Sequence, residues 1–177
     1  LSYLVIFALL LTNLRRREQL QRLLGAAILA SLPVALYGIL QHYRLDPLPW
    51  GGDTTFRVAS TLGNPIFAAA YLIMVIPLSA GSVLRLLRDG PAVADRRAKR
   101  LMITGAAMSL VILLAAWTFL GLGGGLIAGL LCLVLLAGSG VLLRQPVARL
   151  LLLGVHLFIL SAQLTCLFFT QSRGPWL

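Results

Sequence analysis

The sequence predicts an all-α protein, a polytopic bundle of about six transmembrane helices. Three observations carry that prediction. Of 177 residues, 59% are hydrophobic and 11% are charged, whereas a soluble domain carries about 25% charged residues. The apolar residues fall into long runs, and a membrane-spanning helix needs about 20 of them in succession. The basic residues crowd into alternate linkers between those runs, the pattern that fixes orientation in multi-pass proteins.

Taken in order, the chain divides into spans at about 1–14, 23–41, 64–84, 101–120, 126–143 and 150–169, forming one transmembrane domain over 1–177. The first run, LSYLVIFALLL, is too short to cross alone, and the chain stops at GPWL, which reads as the start of another helix. The sequence therefore reads as a piece truncated at both ends. RRREQLQR (15–22) follows the first run as a basic turn. Pro33 lies inside the second span and Pro77 inside the third, where neighbouring helices accommodate the lost hydrogen bond. Between these spans, residues 42–62 form a polar loop with DPLPWGGD and the tryptophan expected at an interface. A second basic linker, RLLRDGPAVADRRAKR, covers 85–100. GLGGG (121–125) reads as a tight turn, RQPVAR covers 144–149, and TQSRGPWL ends the chain.

Orientation follows from the cations. Linkers 15–22, 85–100 and 144–149 hold twelve of the 15 Lys and Arg residues; Arg44, Arg57 and Arg173 lie on the other side. The positive-inside rule places the twelve in the cytoplasm. Translocation does not favour cations on the outer face, so Arg57 and Arg173, both in polar, Gly-containing contexts, invite a functional reading.

The net charge of +10 does not imply nucleic acid, because the charges are split among short linkers with no aromatic platform beside them. Cys132 and Cys166 lie in apolar runs without metal or redox spacing, which makes them buried small hydrophobes. No Asp or Glu lies within a span, no HExxH or P-loop occurs, and Asp46 and Asp53 are the only outward acids. Chemistry without a metal or cofactor, or no chemistry, fits these absences.

The most detailed stretch is RVASTLGNPIFAAAYL (57–72). Asn64 suits an N-cap, Pro65 the first helical turn, and Gly63 a positive φ ahead of them. Ala68, Ala69 and Ala70 thin one side of the helix for a close neighbour. Arg57, the hydroxyls of Ser60 and Thr61, and the helix N-terminus at Asn64 form a set suited to an anion such as a lipid diphosphate. The competing reading is a loop arginine among lipid headgroups beside an ordinary cap. Arg173, with Thr170 and Ser172, reads equally as an anion contact or an interfacial anchor. His42 reads as an interface residue rather than a base, and His156 as a neutral ring bonded to a helix carbonyl or to Gln163.

Two segments carry a resemblance: FRVASTLGNPIFAAAYL (56–72) opening a helix after an outward loop, and TQSRGPWL (170–177), similar to an SRG-x-W motif. With the order YGILQHY, polar loop, STLGNP, basic linker, helical hairpin and SRG, the chain resembles the O-antigen ligase/polymerase superfamily. Ile66 departs from it, standing where many relatives have a second Asn. The resemblance implies a bacterial plasma-membrane glycosyltransferase that moves a glycan from a polyprenyl diphosphate carrier to an acceptor on the extracytoplasmic face, independent of metal. It implies that Arg173 contacts the donor diphosphate, with Arg57 as a second phosphate contact; Ser172, Ser60, Thr61 and Asn64 complete the candidate diphosphate-binding set read from the residues themselves. The family's catalytic histidine lies in a loop after the SRG helix, so the catalytic base is expected downstream of Leu177 and the piece alone is expected to be inactive. Partners on this reading are the lipid-linked glycan and membrane lipid. Two other readings stay open: a small-solute or anion transporter, since one branch of the superfamily is associated with bicarbonate transport, and a non-catalytic subunit packed against a membrane-protein partner.

Overall fold

The computed structural model describes residues 2–46, 48, 55–88, 96–142 and 147–172. Arg173, Trp50 and Asp53 lie outside the described residues, as do GPWL and the centre of the second basic linker. Among the described residues there is no strand. The elements are α1 (Ser2–Asn13), α2 (Arg17–His42), a 3₁₀ turn (Ser60–Leu62), α3 (Pro65–Arg88), α4 (Arg96–Phe119), α5 (Gly121–Leu142) and α6 (Val147–Thr170).

Among the described residues, three helices are long and apolar enough to cross a membrane: Arg17–His42, Pro65–Arg88 and the Leu151–Thr170 part of α6. Both internal prolines sit inside continuous helices.

Two turns differ from the sequence-based expectation. The basic turn at 15–22 is shorter, because α2 begins at Arg17. The Gln19 side-chain oxygen accepts the N–H groups of Arg15 and Arg16, each at 3.0 Å, and so satisfies donors that a helix start otherwise leaves open. GLGGG is not itself the turn. The chain reverses at Leu120 and Gly121, whose φ of +73° only glycine adopts without strain, and the other glycines belong to α5.

α6 is the central helix, packing against α2, α3, α4 and α5. It runs parallel to α2 and antiparallel to α3, as three contacts along its length establish. Arg149 donates to the Leu86 carbonyl at 3.0 and 3.3 Å, Gln163 donates to Ser31 Oγ at 2.6 Å, and Phe169 accepts from Val58 at 3.2 Å. One core cluster joins Leu113, Ala128, Leu153 and Leu157. Another joins Ala35, Ile39, Ala69, Leu72, Trp117 and Cys166. The small residues of α3 behave as the sequence suggests for two of three: Ala68 and Ala69 are buried, while Ala70 is exposed. Cys132 and Cys166 are both free and buried.

The packing separates two ends. At one lie the start of α2, the end of α3 and the start of α6, with Arg17, Arg22, Arg85, Arg88 and Arg149. At the other lie His42, Tyr43, the 55–63 loop, the α4–α5 turn and Thr170–Gln171–Ser172.

Candidate functional site

The second of these ends holds the residues singled out around STLGNP. Its foundation is the C-terminus of α2, where the chain must leave an apolar helix and still satisfy its last carbonyls. Leu45 N–H reaches Leu40 O at 3.0 Å and Arg44 N–H reaches Gln41 O at 3.0 Å. Arg44 takes φ +58° between them. This is the Schellman arrangement, here with arginine where glycine is usual. The Arg44 cation also sits at the negative end of the helix dipole.

Gln41, 1% exposed, then holds the loop. Its Nε2 donates to Asp46 Oδ2 at 3.2 Å, and Tyr37 donates to the same oxygen at 2.8 Å. Its Oε1 accepts the Ser60 N–H at 2.8 Å. Ser60 Oγ donates to Val34 O at 2.6 Å. Ser60 itself has φ +52°, a conformation costly for a side-chain-bearing residue, and these two bonds hold it there.

The same loop is tied to the end of α6. Val58 N–H donates to Phe169 O, and His42 stacks on the Phe169 ring with centroids 3.7 Å apart and planes 14° from parallel. His42 Nδ1 lies 2.9 Å from Thr55 O. A carbonyl oxygen only accepts, so Nδ1 carries the proton and, in the neutral ring, Nε2 is the acceptor. Gly38 permits the approach: a Cβ there would fall on Cys166 Sγ and lie 2.9 Å from Val58 Cγ1. Tyr43 donates to the Trp117 carbonyl, adding α4 to the assembly. Burial pushes the Tyr43 phenol above its ordinary range.

Within this frame the residues expected to meet an anion divide. Arg57 and Thr61 are exposed beside the docked loop. Ser60 is fully buried with its hydroxyl and N–H committed, so it anchors the loop. Asn64 caps α3 as expected, its Oδ1 accepting from Ile66 N–H at 2.8 Å, and Gly63 has the expected positive φ of +70°. That cap narrows what the helix mouth offers. Pro65 has no N–H, Ile66 is used by Asn64 Oδ1, and Ala68 donates to Asn64 O at 3.0 Å. Phe67 is left as the first-turn donor not used in this way.

Past Phe169 the helix ends at Gln171, with φ +46° and its N–H on Phe168 O at 3.2 Å. Ser172, 1% exposed, has an Oγ without a hydrogen-bond partner among the described residues. The Val58–Phe169 bond thus brings the residue after Arg57 to within a few residues of Ser172. His156 is bonded to a helix carbonyl, Leu152 O, at 2.8 Å, while Gln163 turns to Ser31 instead.

Sequence reasoning did not pick out Gln41, Gly38 or Tyr43 as the fasteners of this end. The available signal was a glutamine closing an otherwise apolar span, beside a glycine one turn earlier. Among the described residues no group of His, Cys, Asp and Glu is placed to hold a metal ion. Comparisons with protein-family models, with curated proteins and with solved structures find no match for the chain.

Proposed function

We propose that the chain is the membrane part of an O-antigen-ligase-like glycosyltransferase of the bacterial plasma membrane. On this reading the six apolar helices belong to one transmembrane bundle, with linkers 15–22, 85–100 and 144–149 cytoplasmic and the STLGNP end extracytoplasmic. A polyprenyl diphosphate-linked glycan binds at that end. An acceptor hydroxyl oxygen attacks the anomeric carbon, and the bond from that carbon to the diphosphate oxygen breaks. The electron pair leaves with the diphosphate, and the acceptor proton passes to a base supplied, by the family pattern, from a loop after the SRG helix.

The work assigned to this chain's residues is electrostatic. Arg173 and Arg57, helped by Thr61 and Ser172, stabilise the charge developing on the diphosphate, as fixed guanidinium donors do without a metal. Ser60 and Asn64 hold the loop that carries Arg57. The single observation supporting the reading is the Val58–Phe169 bond. It docks the loop bearing Arg57 onto the end of the helix that leads to Ser172 and Arg173.

The test is Arg173→Ala in the natural full-length polypeptide, assayed for glycan transfer and for membrane insertion. Loss of transfer by roughly 100-fold or more, with insertion intact, is expected for removal of a transition-state charge donor. Normal transfer by that variant removes the assignment.

A second reading, passage of a small solute or anion, draws on the polar interior of the bundle. Gln163 Oε1, Thr165 Oγ1 and Ser79 Oγ are buried without partners among the described residues. It predicts solute uptake by proteoliposomes of the purified protein, with Gln163→Leu abolishing it; no uptake leaves the ligase reading standing.

A further inference from the structure

Among the described residues, α3 and α4 both pack on α6 but not closely on each other. The space between them is a cleft of about 280 Å³. Ala80 to Leu87 of α3 and Ile103 to Leu110 of α4 supply its walls, each through positions spaced i, i+3, i+4 and i+7. That spacing puts each set on one helix face. Leu157 and Leu160 of α6 form the floor, and every lining side chain is Ala, Val, Leu or Ile. Alanine at 80, 106 and 107 keeps the walls thin. Leu84 and Ile103 are 53% and 46% exposed, so the cleft opens sideways from the bundle.

This lining selects hydrocarbon. A cavity with no hydrogen-bonding group offers water nothing to bond and stays dry. The cleft also ends at cations on both walls. Arg88, which is exposed, lies one turn beyond Leu84 on α3. Lys99 and Arg100 hold the α4 positions one turn ahead of Ile103. Linker 85–100, between the two walls, carries six Lys or Arg against Asp89 and Asp95 alone. An apolar channel running to a cationic edge fits an amphiphile with a hydrocarbon tail and an anionic head. We infer that the α3–α4 cleft holds an acyl chain of an anionic phospholipid, its headgroup at the Arg88 end. Clustered cations at the edge of membrane helices attract such headgroups. A second copy alongside in the same orientation would bring its own basic linkers to this edge, and like charge opposes that. The inference requires the helices to lie in a membrane and is independent of glycan transfer.

The experiment is native mass spectrometry of the delipidated full-length protein, titrated with phosphatidylglycerol and phosphatidylcholine of identical chains. One phosphatidylglycerol is expected to stay bound where phosphatidylcholine is lost. Arg88→Gln is expected to reduce that preference by roughly fivefold, the scale of one cation at a membrane surface. Arg17→Gln, an exposed cation at the same end but away from the cleft, is expected to leave it unchanged. Ala107→Phe fills the cleft from an exposed wall position and is expected to remove the retained lipid. Leu84→Trp does the same from the opposite wall, so the test survives if one filled variant fails to fold. Equal retention of the two lipids, or retention unchanged in the filled variants, overturns the proposal. So does an equal effect of Arg17→Gln and Arg88→Gln, which would reduce the preference to general surface charge. A dimer that Ala107→Phe dissociates also overturns it, by making a second copy the occupant.

Discussion

Gln41 Oε1 accepts the backbone N–H of Ser60 at 2.8 Å, so a buried side chain at the end of α2 holds a residue whose φ is +52°. The strain at Ser60 and the bond at Gln41 are two halves of one arrangement. An αL conformation in a residue other than glycine persists only where its surroundings over-determine it. Gln41→Leu is expected to lower stability by about 1–3 kcal/mol, the cost of leaving a buried donor without an acceptor. Ser60→Ala removes only the bond to Val34 O, and about 1 kcal/mol is expected. Unfolding in detergent measures both. Equal and negligible effects would show that the loop stands without these bonds.

Gly38 sets how closely α2, α6 and the loop approach. In Gly38→Ala the new methyl falls on Cys166 Sγ and crowds Val58. Overpacking of this kind costs about 1–3 kcal/mol. Cys166→Ala in the same protein removes the sulfur and should return part of the loss. A double variant no better than Gly38→Ala alone would place the clash elsewhere.

Arg44 has the opposite sign. It occupies the left-handed position of the α2 Schellman motif with φ +58°, where a side chain costs roughly 1–2 kcal/mol. Arg44→Gly relieves that strain and adds chain entropy to the unfolded state. A net gain of roughly 0.5–1 kcal/mol is expected from these opposing terms. A clear loss would mean that the guanidinium contributes more through the helix dipole than the backbone strain costs.

The two ends of the bundle must face opposite sides of a membrane if the chain spans it as proposed. Single cysteines at exposed Arg17 and Thr61 test this, because Cys132 and Cys166 are buried in the fold. Thr61→Cys is expected to label with a membrane-impermeant maleimide in intact spheroplasts. Arg17→Cys should label only after permeabilisation. The reverse pattern would turn the protein over and put the STLGNP end in the cytoplasm.

The helical fold was legible from long apolar runs because a backbone in lipid must satisfy its own hydrogen bonds. Asn64 and Gly63 were legible too, since capping and positive φ are local requirements met by few residue types. The α2 start was misread because Gln19 reaches back to two N–H groups from inside what looked like a basic turn. GLGGG was misread because its glycines suggest a turn, whereas Gly125 serves packing against the Trp117 ring.

The sequence alone therefore determined helix content, the segregation of charge between linkers, and the cap that opens α3. These depend on residues near one another in the chain. Tertiary structure decided which polar groups remain open to a ligand. Ser60 and Arg57 are close in sequence, yet Ser60 is committed to Gln41 and Val34 while Arg57 stays exposed. Arg85 and His156 meet at one cavity although 71 positions separate them. Such relationships arise from helices packing side by side, and no local pattern of residues encodes them.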